Sequence, residues 1–420
     1  MLTTLKSIAS LLLGFGLLLM ANGLFATLLG VRSSLEGFST FLVGLIMSAY
    51  FVGLLVGGRF AIRVVASVGH IRAFAAFASV MSITALTHVL LIDPLIWIGL
   101  RVTAGFCMAG LIMVTESWIN ERATNKTRGQ VLAFYMITNY FAAGCGQFLL
   151  PIANPSQFHL FSVASIIFSL ALVPVLLTRA QAPLPTSPHP MNMKALYLIS
   201  PLGFIGVLCA GLVNSSFHGM GAVFGYEIGL TTTQISIFMA SAIFGGLVLQ
   251  WPLGRLSDRI DRRWVLITVS LTTCLSCVSI MLFASERNTA VLYSAAAIYG
   301  SVSFTVYSLA AAHINDFADR EQLVQVASGL LVTYGIGAII GPTLASMFME
   351  ELGPTALFIY GAIISGMLGS FALYRMRRRT SKRREERAPF KVVPTGYSGA
   401  LYSMARDQID RDRANAVRLS

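Results

Sequence analysis

The sequence predicts an all-α membrane protein of twelve transmembrane helices in two pseudo-symmetric six-helix bundles. Three observations carry that prediction. The chain has 420 residues, of which 55% are hydrophobic and only 11% are Asp, Glu, Lys or Arg, against ~25% charged in an ordinary soluble domain. The apolar residues fall in repeated blocks of ~20, the length that crosses the hydrocarbon core of a bilayer. Residues 179–194, RAQAPLPTSPHPMNMK, break the series at its midpoint with Pro183, Pro185, Pro188 and Pro190, which forbid a continuous helix. A soluble enzyme, a nucleic-acid-binding domain and a disordered chain are all poor readings, because so little charge cannot clothe a water-facing surface of this size.

The expected spans run approximately 5–29, 40–61, 71–92, 95–118, 129–150 and 157–178 before the break, and 196–218, 234–253, 264–284, 289–313, 325–348 and 355–374 after it. The first is a retained span rather than a signal peptide, since its apolar stretch is too long for an h-region and Lys6 is its only flanking charge. Pro94 makes the gap between spans three and four very short. The expected organisation is a first bundle over 1–178, a cytoplasmic linker over 179–194, a second bundle over 195–374 and a basic tail over 375–420.

Charge sets the orientation. With the N-terminus inside, the termini and even loops hold 27 of the 30 Lys and Arg, and only Arg32, Arg101 and Arg287 lie opposite. By the positive-inside rule both termini are cytoplasmic, in a bacterial-type inner membrane. The net charge of +12 comes mainly from residues 375–420, with 13 Lys and Arg against 5 Asp and Glu. A run of this kind beside a span attracts anionic lipid headgroups; ordinary positive-inside bias also explains it. The five cysteines all lie in apolar blocks. Cys274-Leu-Ser-Cys277 matches C-x-x-C but lacks a second ligand pair, so neither a metal site nor a disulfide is expected.

A weak internal repeat supports two homologous halves. Shifted by 195, Asn120-Glu121 meets Asn315-Asp316, Gln130-Val131 meets Gln325-Val326, Thr138 meets Thr333 and Gly146 meets Gly341. Spans four and five thereby align with ten and eleven, and a functional cavity is expected between the halves.

Polar residues inside apolar spans are the candidate pathway. Span one carries Asn22-Gly23. Span four carries Arg101 about two turns from its outer end, where it either faces the bundle interior or snorkels to the interface. Glu116 and Asn120 follow on one face at i,i+4. Glu116 is the one acidic residue placed within a span proper. It suits proton exchange, or is a structural carboxylate paired with a loop cation such as Arg122 or Arg128. Span seven carries Asn214 and His218, again i,i+4, before Gly219-Met-Gly221, a pair of glycines that can break a membrane helix beside a cavity. Span ten ends with Tyr307, His313, Asn315 and Asp316; His313 can titrate near neutrality or simply pack. Gly53 and Gly57, and Gly337 and Gly341, are four apart, the spacing that lets helices approach closely.

The loop after span eight reads Gly254-Arg-Leu-Ser-Asp258-Arg259-Ile-Asp261-Arg262-Arg263. It resembles the G-x-x-x-D-R-x-x-R-R motif of the major facilitator superfamily. The resemblance implies that family's fold and a cytoplasmic gate at Asp258, Arg259, Arg262 and Arg263, which helps lock the outward-facing state; a charged positive-inside loop without a gating role is the simpler alternative. The loop after span two, Arg63 to Arg72, lacks the acidic residue. Arg101-Val-Thr-Ala-Gly105 resembles the family's R-x-x-x-G element, and Gly335 to Pro342 its glycine-rich element, here in the second half. In this superfamily spans one, four, seven and ten line the pathway. Gly69-His70-Ile-Arg72, Glu116-Ser-Trp-Ile-Asn120, Gln250-Trp-Pro-Leu-Gly254 and His313-Ile-Asn-Asp316 are similar to the YcaD-like branch, which implies no substrate.

The expected function is secondary transport of a small molecule by alternating access, coupled to protons. No cofactor is expected, and the chain has no G-x-x-x-x-G-K-[ST] loop for ATP. The expected partners are a small-molecule substrate, protons and the bilayer, with no nucleic acid and a monomeric state. An apolar-compound exporter or uncoupled facilitator is the first alternative, favoured by 27 Phe and 17 Met. A membrane sensor or scaffold acting through the tail is the second. An intramembrane enzyme fits least, for want of a dense acid–base or ligand cluster.

Overall fold

The structure is a computed structural model that describes residues 2–123, 127–177, 193–284, 289–319 and 322–378. These residues form twelve spans. The first six are α1 (Leu2–Leu35), α2 (Thr40–Val68), α3 (His70–Leu90), α4 (Pro94–Arg122), α5 (Arg128–Gln147) and α6 (His159–Leu176, with a turn at Ala171). The second six are α7 (Pro201–Glu227), α8 (Thr232–Arg259), α9 (Arg262–Leu282), α10 (Thr289–Asn315), α11 (Leu323–Leu352) and α12 (Ala356–Arg378). Eleven are long and apolar enough to cross a membrane. The twelfth, α5, carries Arg128, Gln130, Thr138, Asn139 and Gln147 and so reads as more polar. The expected linker falls outside the described residues except for Met193 and Lys194, which open a short helix, Met193–Ile199. The tail is described only to Arg378, where Arg375, Arg377 and Arg378 end α12 and suit its negative pole.

The spans begin where their capping chemistry says they should. Asp93 accepts from the amides of Leu95 and Ile96, and Pro94 follows at the first helical position. Thr231 and Gln234 form a reciprocal capping box at α8. Gly69 alone joins α2 to α3 with φ +85°, a backbone region a side chain strongly disfavours.

Span seven differs from its expectation. Gly219 and Gly221 do not break it, and α7 runs unbroken to Glu227. Gly219 lies against Met47 and Gly221 against Met239, so both serve packing. The break falls instead in α10 at Phe304 and Thr305, where the hydroxyls of Ser301 and Thr305 donate to Ile298 and Ser301 carbonyls. Such back-bonding competes with the helical ladder.

The two halves repeat in their close contacts. A Cβ on Gly105 would strike the carbonyl of Tyr50, and one on Gly300 that of Ala242. Gly53 likewise abuts Val102, and Gly245 abuts Ala297. The α2/α4 pair thus recurs as α8/α10, and α1/α5 as α7/α11. The offset is 195 for α4 (300 − 105) but 192 for α2 (245 − 53). Applied to α1, the offset of 192 relates Asn22 to Asn214.

Among the described residues, contacts between the halves reach from mid-span to the end remote from the chain termini, here called distal. There the Phe41 amide donates to Glu350 (2.9 Å), Thr40 to Glu227 (3.1 Å), and Ser48 bonds Thr343 (2.7 Å). Gly30 packs on Val223, and Gly335 on Leu55. At mid-span, Gln250 donates to the Tyr140 hydroxyl, which joins α8 to α5.

Candidate functional site

Near the distal closure, side chains of α1, α2 and α4 converge. Arg101 is 3% exposed, so it lies inside the first bundle and does not snorkel. Its guanidinium carbon sits 4.3 Å from the Tyr50 ring centroid and 6.0 Å from that of Phe25. Asn22 adjoins the Tyr50 hydroxyl. The helices that place these groups are held by Gly53 and Gly105, which bring α2 and α4 into backbone contact. Behind them His88 donates from Nδ1 to the Thr84 carbonyl at 2.6 Å and meets Phe25 edge-on at 5.2 Å.

Across the interface, Asn214 accepts from Ser303 at 2.9 Å. His218, one turn further, donates from Nδ1 to the Asn214 carbonyl at 2.8 Å and lies 5.0 Å from the Phe304 ring. His218 is exposed although it sits in mid-span, as a side chain facing an internal space would be. Tyr307 is fully buried and meets Tyr334 edge-on at 5.3 Å.

Glu116 lies elsewhere. It is 5% exposed and accepts from the Tyr135 hydroxyl at 2.8 Å, and Tyr135 in turn stacks on Phe15 at 4.9 Å. The side chains of Arg122 and Arg128, its expected cationic alternatives, fall outside the described residues. Asn120 is partly exposed near the proximal end of α4. His313 also belongs to the proximal end, where it meets Phe317 at 5.2 Å and lines a shallow hollow with Ser200, Arg263 and Arg375. The predicted pathway residues therefore fall into three places rather than one.

The pairs described for the Gly254 to Arg263 motif join α8, α9 and the end of α10. Arg262 is 1% exposed and bonds both Asp258 on α8 (3.1 Å) and Asp316 just past α10 (2.9 Å). Asp258 lies in the last turn of α8 rather than after it, and Asp261 is the residue that caps α9, accepting from the Arg263 amide at 3.0 Å. Asp261 also pairs with the Arg263 side chain at 2.6 Å. Arg259 is exposed. Tyr50, Tyr135, Tyr140 and Ser303 also hold functional-site contacts without any sequence signal. Each is one hydroxyl in an apolar span, and only its distant partner marks it.

The comparisons with known proteins agree with this architecture. The family described as Major Facilitator Superfamily matches residues 203–409, and that described as Sugar (and other) transporter matches residues 6–189. Proteins named "Uncharacterized MFS-type transporter YcaD" from Salmonella paratyphi B and Salmonella newport are 28% identical over 271 residues, covering 64% of this chain and 69% of theirs. Among solved structures, the nucleoside transporter NupG superposes with a TM-score of 0.72 at 12% identity, covering 89% of this chain and 99% of its own. A bacterial homologue of the human lysosomal transporter Spinster, in an inward-facing and occupied conformation, gives 0.71 at 14% identity, covering 91% and 98%.

Proposed function

Because this chain belongs to the major facilitator superfamily, we propose that it is a secondary transporter that moves a small molecule by alternating access, coupled to protons through Glu116. The observation that carries the reading is that the inter-half contacts among the described residues run from the distal end to mid-span. Two rigid repeats joined at one end can swivel to open the other, and a substrate bound between them is exposed to each side in turn. With both termini in the cytoplasm, as the basic residues favour, this conformation opens inward. Glu116 supports proton coupling as a buried carboxylate within reach of a phenol, away from the residues at the inter-half space.

The experiment is flux in proteoliposomes under an imposed pH gradient. Gradient-dependent accumulation is expected in the wild type. Glu116→Gln should lose accumulation yet keep exchange of substrate for substrate, which needs no net proton movement. Flux indifferent to the gradient, or unchanged in Glu116→Gln, removes the coupling and leaves a facilitator.

A further inference from the structure

We infer that the Arg101, Tyr50 and Asn22 cluster is a binding subsite for the carboxylate of a small organic anion, which would be the substrate class of the transport activity proposed above. The inference rests on that reading for the word substrate, and on geometry for the anion.

Arg101 is 3% exposed, and its Nε and Nη1 are buried without a hydrogen-bond partner. A guanidinium carries five N–H donors in a planar fork that fits a carboxylate with two parallel bonds. Its neighbours here are ring faces, at 4.3 Å for Tyr50 and 6.0 Å for Phe25. Ring faces attract the charge but accept no bond along the fork. An enclosed cation left in this way is costly unless an anion joins it.

The repeat argues against a purely structural role. With the offset of 195 that relates Gly105 to Gly300, the position of Arg101 becomes Ala296, which is fully buried. The second half thus builds the same close α8/α10 contact with a methyl group where the first half buries a charge.

The surroundings define the ligand. Asn22 is partly exposed on α1, a helix that packs against α2, α4, α5, α6 and α7. Gly30 of the same helix packs on Val223 of α7, so α1 lies on the side of the first bundle that faces the second half. The Asn22 Oδ1 is itself buried without a partner and can accept from a protonated or hydroxylated part of the ligand. Arg101 brings one permanent charge and matches one carboxylate. Phe25 and Tyr50 supply flat apolar walls beside it, suited to an apolar body next to the carboxylate.

The test is a titration of the purified full-length protein with benzoate and, in parallel, with benzamide, its neutral isostere. Thermal stability is the readout. Benzoate should raise the melting temperature of the wild type and benzamide should not. Arg101→Gln should weaken benzoate at least tenfold, with Arg101→Lys retaining part of the affinity. Asn22→Ala should weaken it several-fold and serves as the second variant if Arg101→Gln does not fold. Equal responses to benzoate and benzamide, no response to benzoate, or an unchanged titration in Arg101→Gln would each overturn the assignment. Counterflow of radiolabelled benzoate in proteoliposomes separates the two claims. Binding without counterflow leaves the anion subsite and sinks the transport reading. Transport of a neutral or cationic compound that is insensitive to Arg101→Gln does the reverse.

Discussion

Removing Asp316 should destabilise the protein strongly, and removing Arg262 with it should not. The Arg262 to Asp316 pair is 2.9 Å long, with side chains 1% and 4% exposed. At ~3 Å and an effective dielectric of ~20, the attraction is about 6 kcal/mol, most of it offset by the desolvation of both ions. Cutting one partner leaves the other charge enclosed, and costs about 3–5 kcal/mol in buried pairs. Asp258 softens the loss only slightly, because its side chain is 36% exposed and such pairs contribute about 0–1 kcal/mol. Asp316→Leu should therefore lower stability by about 3 kcal/mol or more. Combining it with Arg262→Met should restore most of the loss, since apolar replacement of a whole buried pair is commonly neutral. The assay is a double-mutant cycle by thermal or denaturant unfolding in detergent. A cost below ~1 kcal/mol for Asp316→Leu, or strictly additive single effects, would refute the claim that this motif arginine staples α8, α9 and α10 together.

Three other predictions follow from contacts in the two bundles. Gly105→Ala and Gly300→Ala each force a methyl into a facing carbonyl and should cost about 1–3 kcal/mol in the same unfolding assay. Gly366→Ala meets nothing within 4 Å and should be neutral or stabilise by up to ~1 kcal/mol, as Ala does over Gly in a helix. At the distal end, Glu350 holds an amide of the first turn of α2 and Glu227 holds Thr40. Carboxylates so placed contribute about 0.3–1 kcal/mol each at exposed positions. Glu227→Gln with Glu350→Gln should thus raise the distally open population several-fold, read as faster thiol labelling of cysteines introduced in that interface; unchanged labelling would remove the latch.

The twelve spans and their halves were legible because bilayer length and proline punctuation act locally, and the structure places its helices within a few residues of most of those limits. The end of α7 was not legible, because Gly219 and Gly221 are tolerated by packing against Met47 and Met239. The repeat was visible only at an offset of 195 because α1 and α2 follow their counterparts at 192. That three-residue difference hid the match of Asn22 with Asn214, and of Gly53 with Gly245. The loop motif marked Arg262 as important but could not reveal Asp316 as its partner, 54 residues further on (316 − 262). Arg101 stood out because a charge inside an apolar span is rare. Tyr50, which lies against it, carried no such signal, because tyrosine is common in buried helices and only the tight α2/α4 contact brings it there.

If the two repeats swivel against each other as proposed, the separations at their two ends are coupled. Spin labels at Leu35 and Leu352 report the distal end, and labels at Ser67 and Gln325 report the proximal end; all four positions are exposed. Distances measured by pulsed electron resonance in lipid, across pH and with the Glu227 and Glu350 variants, give the decisive comparison. Two populations are expected, whose distal and proximal separations change in opposite directions. A single distance at each end, fixed under every condition, would contradict the swivel.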